Sequence, residues 1–344
     1  MSDPVNVDRR QLVQMLFGFY PVQVMHTMAV LDVPEHIAKA NLTVADLAES
    51  TDTDESALRR LMRAAAGLKL VEHLPDGTLR LTPRGQLLHR DSPRSIRSLV
   101  LLWGGDAGWR SWGELAFSVR TGKPAYDELV GSTLFEHLDE SPDERAVFNQ
   151  AMAESSRVAA AGVLAVCALN DVPDVTDVGG GSGSLISSVL AANPSMRGVL
   201  FDRPTSVREA EELLRDHGLD SRCSVVGGDF FESVPAGASA YLLKSVLHDW
   251  NDAQCLKILA NCRAALASGV PLFVIEPVVP EDDESLTQSS MTLLSDLNML
   301  VCTGGMERTE ADYRRLLDQA GLELEAVLPC PPPSNLSVLR ASLA

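Results

Sequence analysis

The feature that most constrains this chain is an alternation of strand-like and helix-like segments that begins near residue 170. Short apolar runs alternate with longer amphipathic runs, a pattern typical of a parallel sheet joined by crossover helices. The predicted strands are 174–178, 197–202, 223–228, 240–246, 271–278, 323–329 and 335–341. The predicted helices are 183–193, 205–217, 251–267, 285–302 and 309–320. We therefore expect an α/β domain built on a parallel sheet.

The beginning of the chain has a different, helical pattern. Leu12, Met15, Leu16 and Phe19 recur at the spacing of one face of a helix. Pro21 follows them, and proline predicts a break or a kink in such a helix. This segment is therefore expected to present an apolar helical face.

Two shorter helices and a hairpin are predicted next. Thr43 can cap a helix over 44–49, and Asp54 can cap a second helix that ends near Gly67. The turn signal at 75–77, Pro-Asp-Gly, separates two short strands. Helix, helix and hairpin in this order form the outline of a winged helix.

These patterns predict three regions. Residues 1–100 form the winged-helix-like domain, residues 101–165 a helical bridge, and residues 166–344 the sheet domain. We expect three tryptophans near the bridge to lie in a core or an interface more often than against a ligand: Trp103, Trp109 and Trp112.

Charge and composition restrict the partners. The formal net charge of −18 argues against nucleic acid, because binding phosphates requires clustered Lys and Arg. The longest nearly apolar run, 158–169, is too short to cross a bilayer, and the charged N-terminus lacks a secretion signal. We therefore expect a cytoplasmic protein without membrane contact. The six cysteines form no CxxC pair, so we predict no metal site.

A glycine-rich loop follows the first predicted strand, in the stretch VTDVGGGSGSL. Asp177, Gly179, Gly181 and Gly183 lie there, and glycines let the backbone approach a ligand beyond the strand ends. The dinucleotide fingerprint G-x-G-x-x-G is completed only if Ser184 replaces its last glycine. The phosphate loop fails as well, since no G-K-[ST] follows. The spacing that fits is D-x-G-x-G-x-G.

Two more acidic residues end the next two predicted strands. Asp202 ends the second strand, where a carboxylate can accept both hydroxyls of a ribose. Asp229 and Phe230 end the third strand, in VVGGDFF. In this order, the three elements resemble the motifs of class I S-adenosylmethionine-dependent methyltransferases. The resemblance implies cofactor contacts at Gly179, Asp202, Asp229 and Phe230.

The last third of the chain resembles one particular group of these methyltransferases. The stretches LLKSVLHDWNDAQCLKILANCRAAL, VIEPVVP and GGMERTEADYRRLLDQAGL are similar to small-molecule O-methyltransferases of the caffeate, hydroxyindole and bacterial antibiotic-tailoring type. The similarity covers essentially the whole chain. It implies a Rossmann-like methyltransferase sheet, an N-terminal winged-helix-like dimerisation domain and a homodimer. It also implies S-adenosylmethionine as cofactor, a phenolic small-molecule acceptor, and a substrate pocket to which the helical bridge over 101–165 contributes.

The same resemblance implies roles for individual residues. His248 matches the general base of the family, and Glu276 and Glu307 match the two acids that flank and orient it. Lys244 matches a residue near the adenine of the cofactor. Arg145 aligns with an arginine that binds the cofactor carboxylate in some bacterial members.

The wall of the acceptor pocket is predicted less specifically. The sequence VCTGGMERT is one residue shorter than in plant-type members, counted from Glu276, so the acceptor is expected only to be an aromatic or polyketide-like hydroxyl compound. Methionine side chains at helical spacing are also typical of a hydrophobic core rather than of a pocket wall. The candidates for the pocket wall are Met152, Asn298, Met299 and Cys302.

Each proposed catalytic side chain also has a structural interpretation. A core histidine often bonds a carbonyl, acids at strand ends are often surface charges, and a lysine can simply pair with a carboxylate. These alternatives stay open for His248, Glu276, Glu307 and Lys244. Asn251, in contrast, is expected to cap the helix that follows, together with Gln254.

Two other functions stay open. An enzyme on the same scaffold could have lost methyl transfer and catalyse a decarboxylation, a hydroxylation or a pericyclic step. A cofactor-sensing regulator could use the N-terminal domain to bind DNA through Arg59, Arg60 and Arg63, which we expect instead on a solvated face or a subunit contact.

Overall fold

The computed structural model describes residues 4–169 and 171–344 and divides the chain into two compact units. The first unit ends at Trp109, and the second runs from Arg110 to Ala344. The division lies inside the region 101–165 that the sequence suggests as a bridge. Each unit has a hydrophobic core of its own.

The first unit is mostly helical and contains one hairpin. Its helices are α1 (Pro4–Leu16), α2 (Phe19–Val30), α3 (Val33–Lys39), α4 (Val44–Ser50), α5 (Glu55–Gly67) and α6 (Arg97–Gly104), and α7 (Asp106–Gly113) contains the division. Strands β1 (Val71–His73) and β2 (Leu79–Leu81) pair antiparallel, and a 3₁₀ turn over Gly85–Leu88 follows. The predicted order of helix, helix and hairpin is confirmed in α4, α5, β1 and β2.

Polar side chains explain where α4 and α5 begin. Thr43 Oγ1 accepts a hydrogen bond from the backbone N–H of Asp46, whose carboxylate accepts one from the N–H of Thr43. Asp54 Oδ1 accepts a hydrogen bond from the N–H of Ala57 at 2.7 Å. Both predicted caps are confirmed, since each satisfies an amide that has no acceptor within its helix.

The break predicted at Pro21 lies earlier in the chain. Helix α1 ends at Leu16, and Pro21 lies in the first turn of α2. Amides of a first helical turn have no acceptor within the helix, so proline fits there without the loss of a hydrogen bond.

The second unit begins with helices and continues as a sheet. Its helices are α8 (Leu115–Thr121), α9 (Ala125–Val130), α10 (Leu134–Glu140), α11 (Pro142–Val166), α12 (Ser184–Ala192), α13 (Pro204–Asp216), α14 (Asp252–Ala265), α15 (Asp283–Gln288), α16 (Ser290–Cys302) and α17 (Glu310–Gln319). Its strands are β3 (Asp174–Val178), β4 (Arg197–Asp202), β5 (Cys223–Gly227), β6 (Tyr241–Lys244), β7 (Leu272–Val279), β8 (Arg308–Thr309), β9 (Leu322–Pro329) and β10 (Leu336–Leu343).

The sheet has the order β5-β4-β3-β6-β7-β10-β9, and β8 pairs with β7 beside this path. Strands β5, β4, β3, β6 and β7 run parallel, whereas β10 is antiparallel to both β7 and β9. The strand order reverses at β3, because β4 and β6 lie on opposite sides of it. The carboxyl ends of strands at such a reversal form a crevice suited to a ligand.

The single helix predicted over 285–302 is wrong. Ser289, with φ −103° and ψ 30°, ends α15, and α16 begins at the next residue. No proline or glycine marks this break in the sequence. None of the helices in the two described stretches is both long and apolar enough to span a bilayer.

Candidate active site

The glycine loop after β3 is packed tightly on both flanks and open in its middle. Gly179, Gly181 and Gly183 have φ angles of 70°, 54° and 81°, which favour glycine. A Cβ atom on Gly179 would lie 2.7 Å from Val246 Cγ2, and one on Gly183 would lie 2.9 Å from Leu200 Cδ1. A Cβ on Gly181 would have no heavy atom within 4 Å. The backbone at Gly181 is therefore accessible to a ligand.

Two carboxylates lie against this loop. Asp202 Oδ2 accepts a hydrogen bond from the N–H of Gly181 at 2.7 Å, and its Oδ1 accepts one from the N–H of Arg203 at 2.6 Å. Burial raises the pKa of Asp202, and these two hydrogen bonds offset part of the rise. Asp177 is buried, which raises its pKa to about 7, and its Oδ2 has no hydrogen-bond partner within the described residues. Acidic groups therefore line the loop from β3 and β4.

An aromatic cluster and an exposed acid follow β5. Asp229 is exposed, and its Oδ1 accepts a hydrogen bond from the N–H of Phe231 at 2.7 Å. The ring of Phe230 packs edge-on against the rings of Phe231 and Trp250, with centroid distances of 5.0 and 6.3 Å. Phe230 Cε1 also lies 3.6 Å from where a Cβ on Gly179 would be. An apolar ring thus lies beside the glycine loop.

Lys244 ends β6 between two groups of acids. Its Nζ donates a hydrogen bond to Ser245 Oγ at 3.1 Å. Burial lowers the pKa of Lys244, while the charges of Glu276, Asp177 and Asp249 offset part of this effect. Ser245 has a φ angle of 52°, uncommon for a residue other than glycine. The lysine charge therefore faces both the glycine loop and the turn that follows.

That turn, a 3₁₀ turn over Leu247–Asp249, carries His248. Glu276 on β7 fixes its start, because Oε1 accepts hydrogen bonds from the N–H groups of Val246 at 2.9 Å and Leu247 at 2.8 Å. The other carboxylate oxygen, Oε2, lies 3.6 Å from His248 Nδ1. One buried carboxylate thus binds the backbone of the turn and faces its histidine.

Glu307 meets the same nitrogen from another segment. Its Oε1 lies 3.1 Å from His248 Nδ1 and accepts a hydrogen bond from Ser295 Oγ at 2.7 Å. The N–H of Glu307 donates to Asp296 Oδ1 at 2.9 Å. Since an ionised carboxylate only accepts, Nδ1 is assigned as the N–H side of the ring. Nε2, which lies 3.9 Å from Asp249 Oδ1, is the nitrogen left for another partner.

The surrounding acids favour the charged form of the histidine. Burial lowers the pKa of His248, but Glu276, Asp249 and Glu307 outweigh burial and raise the pKa to about 10. Burial also raises the pKa of Glu276 to about 7 and that of Asp249 to about 6. The site therefore stabilises an imidazolium, the product of proton transfer to this histidine.

His248, Glu276 and Glu307 also satisfy a simple distance criterion for binding a cation. One potential ligand atom from each lies within 4.8 Å of the others. Their close approach follows equally from two carboxylates facing one ring N–H, so the geometry alone does not indicate a metal.

Other predicted residues lie on helices. Arg145 on α11 donates from Nη1 to the carbonyl oxygens of Leu138 and Asp139 at 3.1 and 3.2 Å. Its Nε has no hydrogen-bond partner within the described chain. Met152, further along α11, is half-buried. Neither residue forms a described hydrogen bond to another predicted site residue.

Three predicted pocket residues lie on α16. Asn298 Oδ1 accepts hydrogen bonds from Trp112 Nε1 at 2.9 Å and from Cys302 Sγ at 3.6 Å. Met299 and Cys302 are buried. Because indole is only a donor, Trp112 fixes which end of the Asn298 amide is the oxygen. Trp112, expected in a core or an interface, thus orients a candidate pocket residue.

The sequence interpretation missed four residues that contribute to the turn or to the acid beside it. Ser295 binds Glu307, as described above. A Cβ on Gly305 would lie 2.0 Å from His248 O, and the N–H of Met306 donates to that oxygen at 2.9 Å. Arg308 is almost fully buried beside the turn. For Gly305, Met306 and Arg308 the sequence signal was the stretch GGMERT, which predicted Glu307 but not the contacts of its neighbours, and no motif marked Ser295.

Two family models match the chain. An O-methyltransferase domain matches residues 112–323, and an O-methyltransferase dimerisation domain matches residues 13–91. The chain belongs to the O-methyltransferase family. Membership confirms the predicted family of S-adenosylmethionine-dependent enzymes and the predicted fold class, an α/β sheet with an N-terminal helical dimerisation domain. The more specific winged-helix comparison stays a prediction.

Individual O-methyltransferases are similar over nearly the whole chain. The O-demethylpuromycin-O-methyltransferase of Streptomyces alboniger is 35% identical over 97% of this chain and 89% of its own length. The 3-amino-4-hydroxybenzoate 4-O-methyltransferase of Streptomyces cremeus is 36% identical over 95% of this chain and 88% of its own. The crystal structure of human N-acetylserotonin methyltransferase in complex with the cofactor superposes with a TM-score of 0.89, at 30% identity over 100% and 99% of the two chains.

Proposed function

We propose that this O-methyltransferase transfers the methyl group of S-adenosylmethionine to a phenolic hydroxyl of an aromatic or polyketide-like small molecule, with His248 as general base. The observation that carries the proposal is the convergence of Glu276 and Glu307 on His248 Nδ1, at 3.6 and 3.1 Å. This geometry leaves Nε2 for the acceptor. The Streptomyces cremeus relative, whose name specifies a hydroxybenzoate, supports an aromatic hydroxyl.

The residues around the glycine loop fit the cofactor. Gly181 leaves its backbone open. Asp202 accepts backbone hydrogen bonds from Gly181 and Arg203 and a side-chain hydrogen bond from Ser206, which leaves its carboxylate able to accept one more from a ribose hydroxyl. Phe230 offers an apolar face beside the loop, and the exposed carboxylate of Asp229 can accept from an adenine amine. Lys244 is assigned to the adenine side. These assignments extend the family resemblance to this chain.

Arg145 is assigned to the cofactor carboxylate. Its Nη1 is bound to the end of α10, which orients the guanidinium, and its Nε has no partner within the described residues. A buried N–H without an acceptor is costly, and a carboxylate would satisfy it with a charge-assisted bond.

His248 supplies the proton acceptor that the reaction needs. When bound, the cofactor supplies a methyl group on a positively charged sulfur. A phenol has a pKa near 10 and is a poor nucleophile while protonated, so Nε2 accepts its proton as attack begins. Glu276 and Glu307 hold the ring by Nδ1 and stabilise the imidazolium that forms. Because the site favours imidazolium, His248 must be deprotonated before each turnover, and the rate is expected to rise with pH.

The acceptor is assigned to the face that α11 and α16 contribute. Asn298 offers its amide N–H groups, because Trp112 and Cys302 occupy its oxygen. Met152, Met299 and Cys302 provide apolar, polarisable side chains suited to an aromatic ring.

Substitution of His248 tests the assignment of the base. His248→Ala is expected to lower kcat by roughly 10²–10⁴, the usual contribution of a general base, and to leave the affinity for S-adenosylhomocysteine unchanged. Turnover is measured with labelled cofactor against a panel of phenols, and affinity by calorimetry. His73→Ala, which changes an exposed histidine, is the matched control. Wild-type turnover in His248→Ala would refute the role of the histidine.

The same assays test the alternatives. A product heavier than the acceptor by CH₂ supports methyl transfer, and nuclear magnetic resonance shows whether oxygen or nitrogen carries the group. Acceptor consumed without this mass gain would indicate the diverged enzyme. Salt-dependent retardation of duplex DNA would indicate the regulator.

A further inference from the structure

The turn that carries His248 depends on a distant segment for its position. Residues 305–308 lie directly against it: a Cβ on Gly305 would clash with His248 O, and the Met306 N–H donates to that same oxygen. Backbone bonds of the turn run from the N–H of Asp249 to Val246 O and from that of Trp250 to Leu247 O, both 3.2 Å.

Arg308 binds the carbonyl groups at both ends of the turn. Nη1 donates to Leu247 O at 3.0 Å, just before His248, and Nη2 donates to Trp250 O at 2.8 Å, just after Asp249. Nε and Nη2 also donate to Asp252 Oδ1 at 3.1 and 2.8 Å. The guanidinium thus spans the turn and joins it to the start of α14.

The same arginine follows Glu307 in the chain. Glu307 contacts His248 Nδ1, while Arg308 holds the backbone on either side of that histidine. One dipeptide thus contacts both the ring and the backbone on either side of it. We propose that Arg308 is a positioning residue that holds His248 Nδ1 against Glu307 and Glu276.

Ion pairing with Asp252 does not require this geometry. Asp252 is 42% exposed and also binds Arg315 at 3.3 Å, whereas Arg308 is 1% exposed. An arginine that served only the ion pair could lie at the surface. The planar fork of guanidinium donors matches two carbonyls and a carboxylate at once, which the point charge of a lysine cannot do.

The decisive measurement is the pKa of the His248 imidazole, followed by nuclear magnetic resonance of histidine-labelled protein and assigned with His248→Asn. The charged groups that face this ring are Glu276, Asp249 and Glu307, with Lys244 beyond them. Arg308→Lys keeps the positive charge but loses the planar set of guanidinium donors. It is expected to lower the pKa of His248 by roughly one unit or more, because the carboxylates then lie further from the ring. Arg308→Gln is expected to lower it as well.

The direction in which the pKa of His248 changes distinguishes a positioning role of Arg308 from a purely electrostatic role. If Arg308 acted only through its charge, Arg308→Lys would leave the pKa unchanged and Arg308→Gln would raise it. If it acted only in folding, both variants would melt at lower temperature with the pKa unchanged. Either result would overturn the proposal.

Two further variants complete the test. Asp252→Glu keeps the negative charge but displaces the anchor of Arg308, and is expected to lower the pKa by a smaller amount, which keeps the proposal testable if the Arg308 variants fail to fold. Arg315→Ala removes the outer contact to Asp252 and a surface salt bridge to Asp312 while it leaves the contacts of Arg308 in place, and it is expected to leave the pKa unchanged. An unchanged pKa in Asp252→Glu, with the Arg308 variants unfolded, counts against positioning.

The catalytic consequence of this inference depends on the proposed function. Arg308→Lys is expected to lower kcat roughly 10- to 100-fold, with little change in KM for the cofactor, because a misplaced base affects the reaction more than binding. If His248→Ala retains turnover, the proposed base is wrong while the pKa test still decides the role of Arg308. If the pKa of Arg308→Lys is that of the wild type, the positioning role fails while the base assignment stands.

Discussion

At the scale of residues, two carboxylates of the site converge on one nitrogen of the His248 imidazole. Three acids surround His248 and outweigh the effect of burial on its pKa. Glu276 uses its two oxygens differently, since Oε1 binds the backbone of the turn and Oε2 faces the ring. A carboxylate in this position orients the imidazole and stabilises its charged form without taking its proton.

The elevated pKa of His248 predicts how stability depends on pH. The folded-state pKa of about 10 exceeds the ordinary 6.5, so the histidine stabilises the fold fully below pH 6.5. This contribution is lost as pH rises towards 10, because the folded state then releases a proton that the unfolded state no longer holds.

Glu307→Gln tests this linkage, since glutamine keeps the shape of the side chain and removes its charge. The pKa of His248 is expected to fall, and the free energy of unfolding is expected to decline less steeply between pH 8 and 10 than in the wild type. Urea unfolding at several pH values measures both slopes. Equal slopes in the two proteins would show that the charge of Glu307 does not raise the pKa of His248.

At the scale of elements, the predicted strands and helices agree with the structure where the pattern is regular. The strand predicted over 174–178 is β3, and the one over 197–202 is β4. Asn251 caps α14 with Gln254 as expected, in a capping box. The break at Ser289 could not be predicted, because no local signal marks it and the apolar pattern continues through it.

The segment that contains Gly305 can lie against the His248 turn only because glycine has no side chain. Gly305→Ala places a Cβ 2.0 Å from His248 O and 2.5 Å from the carbonyl carbon of Asp249, both backbone atoms that cannot rotate away. The variant is expected to lose about 1–3 kcal/mol of stability, as overpacked sites do, and to lose turnover.

Gly67→Ala is the matched control, since nothing lies within 4 Å of its Cβ position at the end of α5. Its stability is expected to be unchanged or raised, by at most about 1 kcal/mol. Thermal unfolding of both variants makes the comparison. Equal stability of Gly305→Ala and the wild type would show that residues 304–306 can shift away from the His248 turn without a cost in free energy.

At the scale of the whole molecule, the family match to a dimerisation domain and the surface of α1 point in the same direction. Leu12, Met15 and Leu16, predicted as one apolar face, are 66%, 74% and 66% exposed in the single chain. Neighbouring apolar side chains so exposed are typical of an interaction surface. We propose that this face is buried in a homodimer.

The double variant Leu12→Glu with Leu16→Glu is expected to convert the dimer into a monomer, because it places charges in an apolar interface. Size-exclusion chromatography with light scattering measures the mass. Val226→Glu, at an exposed apolar position of the edge strand β5, is the control and should remain dimeric. A double variant with the mass of the wild-type dimer would exclude this face from the interface.

Local signals in the amino-acid sequence were sufficient to predict the strands of the large sheet except β8, the caps of α4, α5 and α14, and the family, because periodicity, capping and motif spacing each act over a few residues. Through the resemblance to the family, the sequence also indicated His248, Glu276 and Glu307. How these three side chains meet depends on the tertiary structure. Glu307 lies 59 residues from His248 along the chain, and the arginine beside it binds both ends of the histidine turn. Contacts over such separations depend on how the strand ends pack, which no local pattern records.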